Sequence, residues 1–371
     1  MTDTSERRGD VLFSKLTSAP SIEILPIMPK TSASSPRPLT GSQFLRILSE
    51  GSVQVIRTLF RPSTLVQLRR LLKEGWGPAH RMLIQSHNTR EITKLLDAGE
   101  RITFVNSFPR SGNWWIRFLL SDVFQQNHGI ITATGSADSA IRIVPDFYCE
   151  LVANRDESIK TPGVLIKSHD DFGSLKGRFA NNETRSAAFA ACRHLCPYRA
   201  AADSLVSMFH VSKKVNYVQT KAGDDIDAFC LEYLPGWIKH IESHLDAARD
   251  GVSIYFVSYH DLLRDTEGTF SDMLAWLGAP YTPEILERAV SNNRFSKVRT
   301  VEQDFQLQYK PLLRSGQDGS GHRELKPETF KAILESTQKL VAQADQHVVR
   351  QKAQRGQSAA SEPPCAVSAV G

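Results

Sequence analysis

Three short stretches carry side chains whose type and spacing suit chemistry on an anionic ligand. The first reads SFPRSGNWW, residues 107–115. Arg110 supplies a fixed positive charge, Ser111 a hydroxyl donor, and Gly112 a point where backbone can approach a ligand closely. The second reads YRAAADSLVSMFH, residues 198–210. Arg199 ahead of a helical stretch and Ser207 inside it can converge on one phosphate, with charge-assisted hydrogen bonds of about 1.5–3 kcal/mol each. The third reads IKSH, residues 166–169. Side chains alternate along a strand, so Lys167 and His169 share a face. A histidine there can take a proton from a hydroxyl, although a histidine at a strand end is more often simply packed.

These groups need elements to hold them. Residues 102–105 form a short apolar run, residues 106–112 have loop chemistry, and residues 113–124 are mostly apolar and aromatic. That order predicts a buried strand, a polar loop and a largely buried helix whose free N–H groups and dipole favour an anion. Taken locally, a plain turn into a core helix fits as well. The pattern G-x-x-x-x-G-K-[ST] is absent, which argues against a Mg-nucleoside triphosphate. Further strands are expected over residues 164–166 and 252–257, and a late helix over residues 327–341. Strands alternating with helices imply an α/β chain with a mostly parallel sheet covered on both faces, and ligands beyond the carboxyl ends of its strands. Residues 193–198, RHLCPY, read as a poor central strand because of Pro197. AAFAAC, residues 187–192, reads as the better one, ending at Arg193. Arg193 and Arg199 therefore both stand as candidates for a phosphate, the spacing to Ser207 favouring Arg199.

The chain has 371 residues, with 45 Lys and Arg against 40 Asp and Glu, a net charge of +5. That suits a polyanionic small ligand and falls short of a nucleic-acid footprint. Residues 1–40 and 351–371 read as a disordered arm and tail, with a single folded body over 41–350. No secretory leader or membrane span is read, and five scattered cysteines suggest reduced thiols in a cytoplasm. A basic amphipathic stretch around Arg69 and Arg70 reads as a surface helix that could also touch a membrane. No metal-ligand spacing is read; the nearest acidic set is Asp224, Asp225 and Asp227.

The segment 107–115 resembles the phosphosulfate loop of the sulfotransferases that use 3′-phosphoadenosine 5′-phosphosulfate (PAPS), with Arg110, Ser111, Gly112, Asn113, Trp114 and Trp115 on its positions. Residues 198–210 resemble that family's 3′-phosphate segment, and Lys167-x-His169 its K-T-H. Weaker echoes follow in order: Tyr259 in SYHDL for an adenine contact, Asn293 and Phe295 beside the nucleotide, and Arg314, Ser315 and Gly316 in a glycine-rich closing loop. In that last segment Ser315 stands for a Lys and His322 for a Trp. The family's dimer motif is not apparent. The resemblance implies a P-loop-like three-layer fold and PAPS as co-substrate, with no metal. It implies His169 as general base toward an acceptor hydroxyl, on a small molecule, lipid or glycan, with Lys167 and Arg110 stabilising charge. A catalytically weakened regulatory protein that binds the product nucleotide, or an ATP-using phosphotransferase, are the alternatives.

Overall fold

Four short strands meet in one parallel sheet: β1 (Ile102–Asn106), β2 (Val164–Ser168), β3 (Arg193–Tyr198) and β4 (Ile254–Ser258), in the order β2-β1-β3-β4. The computed structural model describes residues 76–130, 137–215, 218–298 and 316–361. The helices described are, in chain order, α1 (Trp76–Asp97), α2 (Asn113–Gln126), α3 (Ala137–Ile143), α4 (Phe172–Phe179), α5 (Glu183–Ala190) and α6 (Ala201–Val215). They continue with α7 (Ile226–Arg249), α8 (Tyr259–Arg264), α9 (Thr266–Leu277), α10 (Pro283–Asn292), α11 (Ser320–Glu324) and α12 (Pro327–Ser361).

Strand alternation divides the core in two. Phe104, Ile166, Cys196 and Phe256 join one apolar cluster, packed with Leu205 of α6 and Trp237 of α7. Val105, Leu165, Leu195 and Tyr255 join the other, with Ile116 and Leu119 of α2 and Phe270 of α9. The result is the three-layer α/β arrangement expected of a parallel sheet with buried faces. The chain leaves β1 toward β2 and later crosses back to place β3 on β1's other side. The β1–β3 crevice is thus the point where strand order reverses, and ligands bind outside the carboxyl ends there. Residues 145–147 add one parallel bridge to the outer edge of β2, Lys167 N donating to Pro145 O at 2.9 Å and Phe147 N to Lys167 O at 2.9 Å.

Three expectations are corrected. The AAFAA run, read as a strand, is the end of helix α5 and the residue after it. Alanine is the best helix former, and the Asn182 side chain caps the start by accepting from Arg185 N at 2.9 Å. RHLCPY, read as a poor strand, is β3 itself. His194 N donates to Ser253 O at 2.9 Å, toward β4. Pro197, three residues on, therefore turns its nitrogen toward β1, and the ladder with β1 has already ended at Leu195. A proline is tolerated where no ladder donor is needed. The late helix also runs to Ser361, past the boundary expected at 350. The basic stretch around Arg69 and Arg70 and the arm 1–40 lie outside the described residues, as do residues 362–371 of the C-terminal tail. No described helix is long and apolar enough to cross a membrane.

Candidate active site

Each of the four described strands delivers a singled-out residue at its carboxyl end: the 107–115 loop after Asn106, His169 after Ser168, Arg199 after Tyr198 and Tyr259 after Ser258. A cleft at this end is lined by Arg110, Gly112, Asn113, Trp114, Trp115, Arg199, Ser207, Tyr259, Phe295 and Gly316. Every one of these ten was picked out from the sequence.

The loop that floors the cleft has backbone only some residues can adopt. Arg110 has φ 71°, the one positive φ at a non-glycine among the described residues, a conformation that costs of order 1 kcal/mol and clusters at functional sites. Gly112 has φ 95°, and a Cβ there would sit 2.7 Å from the Tyr259 ring. Gly316 is similarly required, since a Cβ would meet the Phe295 ring at 2.5 Å. Asn113 opens α2 and donates to Ser107 Oγ at 2.9 Å. Trp115 donates its ring N–H to Asn293 O at 2.8 Å and lies edge-on to Tyr259. That leaves two aromatic surfaces beside a set of fixed cations.

Two arginines supply those cations. Arg110 Nε donates to Ser207 Oγ at 3.1 Å, so β1's loop and α6 are already joined. Arg199 lies 4.5 Å over the Tyr259 ring and donates to Gln317 O at 2.6 Å. Asp203 and Asp318 stand 3.6 and 3.5 Å from its guanidinium, yet its buried Nε makes no hydrogen bond. Asp203 also accepts from Gly319 N at 2.8 Å and Gly321 N at 2.7 Å, fastening the glycine-rich segment to the start of α6.

At the other side of the loop stands His169. Its Nδ1 is 2.7 Å from Ser107 O. A carbonyl only accepts, so Nδ1 carries the proton and Nε2 keeps its lone pair. Burial, then the charge of Lys167, push its pKa down to about 3 against the opposing pull of Asp146, with Arg110 adding to the depression. His169 is therefore neutral near pH 7. Lys167 is buried and ion-paired with Asp146. Burial would raise the Asp146 carboxyl, but Lys167, His169 and Arg117 hold it at about 2. Glu150 accepts from Asp146 N and pairs with the fully buried Arg117, both at 2.6 Å. An ionic chain thus runs behind the histidine.

Some singled-out residues stand apart from the cleft. Ser111 is buried, its Oγ 3.4 Å from Ser204 Oγ. Asn293 sits behind Trp115, its side chain donating to Asp122 at 2.8 Å. Arg193 lies at the opposite end of β3, over the Trp276 ring at 4.0 Å. His322 is exposed on α11, with its ring against Phe330. Arg314 and Ser315 lie outside the described residues. The acidic set has structural duties: Asp225 caps α7, Asp227 accepts from Lys326 N at 3.0 Å, and Asp224 pairs with Lys213.

The family model described as the sulfotransferase domain matches residues 100–345, about two thirds of the chain. This chain is a member of the sulfotransferase family. Its curated relatives include the flavonol 3-sulfotransferase of Flaveria bidentis, 23% identical over 257 residues, covering 62% of this chain and 78% of that one. The amine sulfotransferase of Oryctolagus cuniculus is 23% identical over 227 residues, covering 60% and 69%. Among solved structures, a mouse sulfotransferase complexed with PAP has a TM-score of 0.49 at 16% identity, covering 73% of this chain and 95% of that one. The sulfotransferase STF9 of Mycobacterium avium has a TM-score of 0.40 at 14% identity, covering 83% and 98%.

Sequence reading of this sulfotransferase missed the residues that hold the others. Asp203 fell on the 3′-phosphate pattern, but its grip on Gly319 and Gly321 joins segments 116 or more residues apart. Asp146, Glu150 and Arg117 carried no motif. A charged residue inside the apolar stretch of α2, as Arg117 is, was the signal available, since arginine is almost never fully buried without a partner.

Proposed function

We propose that this sulfotransferase takes PAPS as sulfuryl donor and an acceptor hydroxyl as its second substrate, with His169 as general base. The residues present suit such a nucleotide. Arg199 is buried, its Nε making no hydrogen bond although it stands 3.5 Å from Asp318 Oδ1, and Gly112 leaves a space against Tyr259 that a Cβ would fill. Trp115 and Tyr259 offer faces to a purine, Arg199 and Ser207 to a 3′-phosphate, and Arg110 to the 5′ side.

PAPS brings an activated sulfuryl group, whose transfer to the acceptor oxygen leaves PAP. His169 Nε2 accepts the hydroxyl proton, while the Ser107 carbonyl fixes the ring's tautomer and direction. Arg110 holds negative charge on the transferring and departing oxygens, Lys167 adds its charge from behind, where it pairs with Asp146, and Asn113 donates to one of those oxygens. Positioning and electrostatics of this kind carry most of the rate in phosphoryl transfer, and the same logic applies to sulfuryl transfer.

The observation that carries the reading is the His169 Nδ1 to Ser107 O bond, which orients a neutral imidazole beside the phosphate loop. Its test is PAP release from PAPS across a panel of alcohols and phenols. His169→Ala should lower turnover by roughly 10²–10⁴-fold with PAP affinity kept. Unchanged turnover in that variant would remove His169 from the role of base.

A further inference from the structure

A second constellation lies in the core between β3 and α7. Cys196, His240 and His244 are all buried, and one ligand-capable atom of each lies within 4.8 Å of the others. They come from two elements, β3 and α7. His240 and His244 are four residues apart and so share one face of α7. Cys196 turns from β3 into the cluster that contains Trp237 and Ile241 of that helix.

Two of the polar atoms here lack partners. His240 Nε2 and His244 Nε2 are buried and make no hydrogen bond. His244 Nδ1 is 2.7 Å from His240 O, so it carries the ring proton and Nε2 holds a lone pair. A carbonyl accepting the far N–H is the usual way a metal-ligating histidine is oriented. Buried polar groups are nearly always satisfied, so two orphaned ring nitrogens on neighbouring histidines beside a thiol need an account. Helix spacing of this kind was passed over in the sequence, where no metal-ligand spacing was read, because Cys196 is 44 residues from His240 in the chain.

We propose that this pocket binds a thiophilic d10 cation, copper(I) in preference to zinc(II), through Cys196 Sγ and one nitrogen each of His240 and His244. Sulfur and imidazole donors select such ions over hard cations. Donors about 3.5–4 Å apart would suit metal bonds of about 2.0–2.3 Å, so the side chains close by up to about 1 Å. Binding converts the Cys196 thiol to a thiolate and releases its proton. One thiolate with a monovalent ion leaves the core neutral, whereas zinc would bury a net positive charge and lack a fourth protein ligand. The site is next to the cleft: the Phe108 ring of the loop stands edge-on to His240 at 6.2 Å.

The test uses the full chain, reduced and stripped of metal, titrated with copper(I) against a chromogenic copper(I) chelator and, in parallel, with zinc(II). One equivalent of copper(I) should bind, Cys149→Ser, at the exposed thiol, should keep it, and Cys196→Ser and His244→Gln should each weaken it at least tenfold. No binding, or equal binding by those two variants, overturns the site; tighter zinc than copper overturns the choice of ion. If the variants do not fold, X-ray absorption of the copper-loaded wild type decides. One sulfur and two nitrogens are expected, and any other donor set overturns the proposal. None of these readouts depends on sulfuryl transfer, so they stand apart from the fate of the proposed function.

Discussion

Strand β3 opens on Arg193, and Arg199 follows its last residue. The two look alike locally, because each guanidinium lies over an aromatic ring, at 4.0 Å for Arg193 on Trp276 and 4.5 Å for Arg199 on Tyr259. Stacking therefore says nothing about role. What differs is the end of the sheet. Arg193, at the amino end, donates to the carbonyl of Leu277, the last residue of α9, at 3.2 Å, where a cation interacts favourably with the helix dipole. Arg199, at the carboxyl end, faces the cleft with a buried Nε that makes no hydrogen bond. One arginine closes a helix, and the other lines the cleft beside Asp203 and Asp318.

Replacing each member of that pair is the most direct way to break the contrast. Arg199→Ala should weaken PAP binding by roughly 10–100-fold, the loss of one or two charge-assisted hydrogen bonds, read by calorimetry. Asp203→Asn sharpens the picture, because Asp203 holds both Arg199 and the 319–321 segment. It should weaken PAP by about 3–10-fold while leaving a salt dependence that Arg199→Ala lacks. Arg193→Ala should leave PAP affinity within about twofold and lower the melting temperature by about 2–4 °C, as a change of about 1 kcal/mol does in a domain of this size. Equal losses of PAP affinity in both arginine variants would erase the distinction.

The base side gives a pH prediction. Burial and the nearby cations hold His169 at about 3 in the folded chain, below the ordinary value near 6.5. The unfolded chain therefore takes up the proton first as pH falls, so this group's stability is intact above about 6.5 and lost on acidification toward 3. For turnover, kcat/KM with respect to acceptor should stay level from pH 8 to about 5. An acid limb centred near 6.5 would show that His169 titrates normally and is not held as described.

Much of this site was legible because its chemistry is local in sequence. The loop 107–115 carries its own strand, turn and helix start, and Lys167 and His169 share a strand end. The β3 strand was not legible, because the signal against it, Pro197, is excused only by where the β1 ladder stops. AAFAAC misled in the opposite way, since a run of alanines with one phenylalanine is apolar enough for a strand but prefers a helix. Asp146 and Glu150 carried no motif, and Asp203, though on the 3′-phosphate pattern, gave no sign of its hold on Gly319 and Gly321, because each acts on a partner that only the fold brings near.

On the proposed function, the cleft reads a 3′-phosphorylated nucleotide. The measurement that tests it most directly is calorimetric titration of the full chain with PAP, alongside AMP, which lacks the 3′-phosphate, and ATP. Micromolar binding of PAP, with AMP and ATP at least about tenfold weaker, is the predicted result. Equal binding of AMP or ATP would mean that Arg199 and Ser207 do not read the 3′-phosphate, and would contradict the assignment of PAPS as donor.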